Sequence, residues 1–154
     1  MAIAKHLRQI GAAGEPLPRP FWWACVLSAP PLAALAVGLG FGLALDAPWR
    51  ALGLLVLSSI AEEIVFRGGL LRLLRRWPAG RTSWQSISAA NSLTSAAFAL
   101  AHLWNHPPLA ALGVLPVSLL LGWAYERSGQ RLAPPIVLHL YFNFALFVAS
   151  LALR

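Results

Sequence analysis

The chain has 154 residues, of which 58% are apolar and only 11% charged. A soluble domain carries about a quarter charged residues, so this chain cannot cover a water-facing surface and must take lipid as much of its solvent. Twelve basic residues against five acidic ones give a net charge of +7, but the basic residues cluster at the ends of apolar runs, which is the pattern of membrane anchoring and not of a nucleic-acid-binding face.

The length allows a single domain. We expect an all-α, polytopic transmembrane helix bundle of about five spanning helices, with a cytoplasmic N-terminal segment at residues 1–20 and one membrane domain at 21–154. Residues 21–45 hold no charge and exceed the roughly 7–15 residues of a signal-peptide core, so they are expected to be a retained helix, kinked at Pro30-Pro31. Cys25, the sole cysteine, lies in this run and is read as a small packing residue. A turn follows at Asp46-Ala47-Pro48. Segment two is expected at 49–77. Residues 82–95 are polar and carry no strand signal. Segment three ends near Trp104, segment four covers 109–125 around Pro116, and segment five covers 134–153. Trp22, Trp23, Trp49, Trp77, Trp84, Trp104 and Trp123 mostly flank apolar runs, as an interface belt does.

Lys5, Arg8, Arg19, Arg72, Arg75, Arg76, Arg81, Arg127 and Arg131 fall at one set of segment ends, and only Arg50 and Arg154 at the other. The positive-inside bias puts the N-terminus in the cytoplasm. The Arg72/Arg75/Arg76 cluster is read as a headgroup anchor.

Segment two carries Glu62, Glu63 and Arg67 in its middle. Ionisable groups at that depth cost roughly 2.5–3.5 kcal/mol each on insertion scales and mark function by default. Glu63 and Arg67 are four apart and share a helix face, so they can pair. Glu62 points about 100° away without a partner in its own helix. An unpartnered carboxylate in a low-dielectric setting is suited to general acid–base work near neutral pH. His102 ends the run Phe98–His102. His139 and Asn143 are four apart in segment five. Turned inward together, these groups suit hydrolysis: a carboxylate deprotonates water, a histidine orients it or protonates the leaving amine, and the amide of Asn143, with His139, steadies an oxyanion. Each has a plainer reading. The Glu63–Arg67 pair alone suits structure, a lone histidine is more often a bonded interior residue, and His139/Asn143 suits interhelical bonding. Their conjunction on three helices favours a site. His6 and His106 lie outside the apolar runs and receive no assignment.

Glu62-Glu63-Ile64-Val65-Phe66-Arg67 matches an EExxxR motif, Phe98–His102 an FxxxH motif, and His139–Asn143 a histidine followed four later by asparagine. In that order the chain resembles the CPBP family of CAAX-processing and bacteriocin-processing intramembrane proteases, over about residues 51–147. The stretch from Leu120 to Gly129 and on to His139 also resembles that family. The resemblance implies Glu62 as the catalytic glutamate, Glu63 and Arg67 as its support, His102 as assisting the water, and His139 and Asn143 as the oxyanion site. It leaves zinc and glutamic mechanisms open; we favour no metal and no other cofactor, because a base, an orienter and amide donors are already supplied. It implies a membrane-anchored protein or peptide substrate cut near its C-terminus, in a bacterial inner membrane. The short chain resembles small members of bacterial C-terminal sorting systems, including the one paired with JDVT-type tails. Nothing in the sequence sets an oligomeric state. A non-catalytic scaffold or immunity-type protein and a small proton-coupled transporter are the competing readings.

The sites must also share a depth. Glu62 precedes Arg72 by ten residues, roughly 15 Å, and His139 follows Arg131 by eight, roughly 12 Å. His102 matches them only if residues 82–91 lie at the inner interface and segment three starts near Asn91 or Ser92, with Asn or Ser as its N-cap.

Overall fold

A computed structural model describes residues 14, 16–41, 43 and 47–153. Most of the expected N-terminal segment, Asp46 of the expected turn and Arg154 lie outside the described residues.

Helix α1 (Arg19–Ala36) opens with proline in its first turn and runs on through Pro30 and Pro31. Pro30 has no N–H to donate to the carbonyl of Val26. That carbonyl instead accepts the Tyr141 hydroxyl at 2.9 Å, so the last helix satisfies the group that the proline orphans. A π-helical turn, Val37–Phe41, follows, and the backbone breaks at Gly40, where φ is 89°.

Helix α2 (Pro48–Glu63) begins with proline in its first turn. It continues as a π-helix, Ile64–Leu71, and closes with Arg72–Leu74. The widened turn coincides with Gly68-Gly69, two weak helix formers, and the Arg72 N–H reaches back to the Arg67 carbonyl. Such π segments concentrate at functional sites.

A 3₁₀ turn (Ala79–Arg81) leads into a hairpin of β1 (Ser83–Trp84) and β2 (Ile87–Ser88), paired antiparallel with Ser83 opposite Ser88. The sequence shows no strand there, and the correction has a local cause. Gln85 and Ser86 both adopt positive φ, 47° and 70°, which closes a tight hairpin of the primed type without its usual glycine or asparagine.

Helix α3 (Ala89–His102) starts at Ala89, two or three residues before the expected Asn91 or Ser92. Its N-cap is Ser88, whose hydroxyl accepts the Asn91 N–H at 3.0 Å. Residues 82–88 are thus outside the helix, as the depth requirement demands. Helices α4 (Pro108–Arg127) and α5 (Ala133–Ala152) fall within one or two residues of expectation.

Among the described residues, three helices are long and apolar enough to cross a membrane: Arg19–Gly40, Pro108–Arg127 and Ala133–Ala152. These three are candidate spans by length and composition, within the all-α helix bundle that the sequence leads one to expect. The helix beginning at Pro48 is long but carries the charged cluster. Helix α3 has 14 residues, about 21 Å, which falls short of a hydrocarbon core of about 30 Å. Leu27, Leu54, Leu57, Leu93, Leu100 and Leu112 point outward and exposed, a surface that suits lipid and not water.

Helix α5 packs against α1, α2 and α4, while α3 packs on α4. One core cluster joins Leu17, Cys25, Leu121, Ala124 and Leu138, with Phe21, Trp22 and Phe142 against it. A second joins Leu71, Ala90 and Tyr125. Arg75 is not only an anchor: it pairs with Glu126, which also accepts the Ser88 hydroxyl at 2.6 Å. This ties the end of α2 and the start of α3 to the end of α4.

The α3–α4 seam leaves no room for a side chain at Gly122. A Cβ there would stand 1.9 Å from Asn91 Oδ1, while the Asn91 amide donates to the Leu119 carbonyl at 2.9 Å. Gly122→Ala is expected to destabilise the protein by about 1–3 kcal/mol through overpacking, read as a lowered Tm in detergent. An unchanged Tm would mean that the seam is looser than described.

Candidate active site

The site is built upward from one buried charge pair. Glu63 and Arg67, a helical turn apart on α2 and its π continuation, are both fully buried. Arg67 Nη1 donates to Glu63 Oε1 at 2.9 Å. The same oxygen lies 2.8 Å from His139 Nδ1 on α5. An ionised carboxylate only accepts, so we assign the Nδ1 proton to His139. Arg67 Nη2 donates to both the carbonyl and the hydroxyl of Ser118 on α4, each at 2.8 Å. Its guanidinium carbon sits 5.1 Å from the centroid of the Phe98 ring on α3, a cation–π contact. Ser118 passes the chain on to Ser95 at 3.1 Å, and Ser95 to Asn91 Oδ1 at 3.2 Å. Glu63 Oε2, Arg67 Nε and Thr94 Oγ1 have no partner among the described residues.

Glu62 lies on the open side of this brace, with 31% of its side chain exposed. Its Oε2 stands 3.8 Å from His139 Nε2, beyond a direct hydrogen bond. His139 is therefore held between the two glutamates, bonded to one and facing the other. One turn along α5, Asn143 Nδ2 donates to Ser59 Oγ at 2.8 Å, and Ser59, buried on α2, donates to the Leu55 carbonyl at 2.6 Å. Asn143 keeps a second amide N–H beyond that bond.

His102 reaches this group through aromatic contact. Its Nδ1 lies 2.9 Å from the Phe98 carbonyl, and the two rings are 4.4 Å apart. The Phe98 ring is 6.1 Å from that of His139 and edge-on to Phe66 at 4.9 Å. Among the described residues, His102 hydrogen-bonds neither glutamate. The structure thus gathers Glu62, Glu63, Arg67, His139 and Asn143 on facing helices and sets His102 at their edge.

Several contributors escape the sequence reading. Ser59 and Ser118 are single hydroxyls within apolar helices, and nothing distinguishes Ser59 from its neighbour Ser58, which bonds only its own helix at Leu55. His106, unassigned from sequence, stacks on His102 at 5.7 Å with 18° between planes. Partial burial, then the neighbouring His102, hold the His106 imidazole below the ordinary histidine range, and Glu62 pulls the other way.

Among the described residues, no group of three or more His, Cys, Asp or Glu side chains is placed to hold a metal ion, and His139 Nδ1 and Glu63 Oε1 are already turned to each other.

Removing Arg67 would leave the Glu63 charge buried and unpaired. Arg67→Met is expected to cost about 3–5 kcal/mol, measured by thermal unfolding in detergent, with Glu63→Gln in the same chain restoring part of the loss. A Tm unaffected by Arg67→Met would contradict the brace.

A family model for type II CAAX prenyl endopeptidase Rce1-like proteins matches residues 44–145. No curated protein and no solved structure matches the chain.

Proposed function

Since the chain belongs to the Rce1-like type II CAAX endopeptidase family, and so is an integral membrane protease, we propose that it hydrolyses a peptide bond near the C-terminus or membrane anchor of a protein substrate with water activated by Glu62. The observation that carries this reading is the position of His139, bonded to buried Glu63 and facing half-open Glu62 across 3.8 Å.

In the proposed reaction a water touching both Glu62 Oε2 and His139 Nε2 sits beside the line that joins them. Glu62 takes a proton from this water as its oxygen attacks the carbonyl carbon. Charge moves to the carbonyl oxygen, where the free amide N–H of Asn143 donates to it, with His139 alongside. Such preorganised donors are worth a factor of about 10²–10³ each. The carbon–nitrogen bond then breaks, and Glu62 returns its proton to the leaving nitrogen. The products are a carboxylate and an amine. Glu63 and Arg67 fix His139 and do not touch the reacting atoms. His102 orients the water from the Phe98 side. No metal takes part in any step.

The division of labour follows from burial. Glu63 is shut away with two donors on one oxygen and is poorly placed to exchange protons. Glu62 is accessible and, among the described residues, lacks such a partner. We further propose a bacterial inner-membrane location with a cytoplasmic N-terminus, from the distribution of Lys and Arg.

The test is C-terminal peptide profiling of membrane proteins from cells expressing the wild type or Glu62→Gln. The wild type is expected to generate new C-termini that the variant loses by a factor of about 10²–10⁴, while both proteins show the same Tm. A scaffold would give the same termini with either protein, and that outcome would falsify the peptidase mechanism.

A further inference from the structure

The groove between α2 and α5 does not end at Asn143. One turn beyond the Ser59–Asn143 bond it widens into a cavity of about 190 Å³, lined by Leu52, Leu55 and Val56 on α2 and by Leu140, Asn143 and Phe144 on α5. Five of these six side chains are apolar, and the sixth is the proposed oxyanion donor. Val56 and Phe144 are 39% and 52% exposed, so the cavity opens sideways onto the lipid-facing surface and not along the helix axes. Nothing in the proposed reaction uses these five apolar residues.

We propose that this cavity binds one large apolar side chain, that of the substrate residue whose carbonyl is attacked. The inference rests on the peptidase reading and adds its specificity. Asn143 is the wall shared by cavity and site. A carbonyl oxygen held by the Asn143 amide places the α-carbon of that same residue next to the cavity mouth, and its side chain is the group within reach. Size selects the class of occupant. A dry apolar cavity of about 150 Å³ accepts a benzene ring, so this one suits Leu, Ile, Met or Phe. Charge selects too, because a charged side chain entering here would lose its hydration without a partner. The sideways opening lets a membrane-anchored segment present its side chain from the bilayer.

Cleavage leaves the recognised residue as the new C-terminus, so C-terminal profiling reads the cavity directly. Membrane proteins are profiled from cells expressing the wild type, Glu62→Gln, Val56→Trp, which fills the cavity mouth, and Leu52→Ala, which enlarges it. Wild-type termini that depend on Glu62 are expected to end in Leu, Ile, Met or Phe. Val56→Trp should shift the ratio of large to small terminal residues at least tenfold toward Ala, Gly and Ser, because a single methylene in such a pocket discriminates about 10–200-fold. Leu52→Ala should shift it toward Phe and Trp, and this opposite displacement cannot come from misfolding. Glu62-dependent termini with no apolar preference, with a preference that neither variant moves, or ending in prenylated cysteine would overturn the cavity assignment and leave the peptidase standing. Termini that do not depend on Glu62 would overturn both.

Discussion

A buried charge must be neutralised where it stands. Glu63 and Arg67 are both fully inside the bundle, and each would cost several kcal/mol if left alone. Their mutual bond is a single contact on one carboxylate oxygen, so neutralising them draws on the other helices. Helix α5 supplies His139, α4 supplies Ser118, and α3 supplies the face of Phe98. Apolar side chains in lipid gain little from preferring each other to the bilayer, so polar contacts and close packing of small residues set which helices meet and in what register. Here one ion pair and its serine–asparagine continuation do that for four helices.

The neighbouring glutamates differ because of this constraint. The helical step from Glu62 to Glu63 turns one side chain into the brace and leaves the other at its edge, partly open and within reach of the same imidazole. In the proposed mechanism the first glutamate works because the second is occupied. Asn143 follows the same logic on a smaller scale, with one amide proton held by Ser59 and the other left for a substrate. The apolar cavity beyond it continues the groove on the lipid side, so chemistry and proposed specificity share one interhelical cleft.

Much of this was legible in the residues, because charge in an apolar run is rare and its neutralisation is predictable. The four-residue spacing of Glu63 and Arg67 foretold their pairing, and that of His139 and Asn143 foretold a common face. The need for a common depth foretold that α3 starts late, with a serine or asparagine cap. Three things were hidden. The hairpin at 83–88 was invisible because Gln85 and Ser86 adopt positive φ without the residues that usually signal it. The shortness of α3 was hidden because hydropathy alone does not mark where its 14 residues begin and end. Ser59, Ser118 and His106 gained partners only through tertiary contact, and no spacing rule connects Ser118 to Arg67 across 51 positions.

The central claim is that Glu62 and His139 act as one unit on the same water. A double-mutant cycle on cleavage rate, with Glu62→Gln, His139→Ala and the combination, tests it most directly, because groups that act together are strongly non-additive. The proposed mechanism requires the double variant to be about as slow as the slower single variant. Losses that multiply, each variant contributing its full factor in the presence of the other, would contradict it.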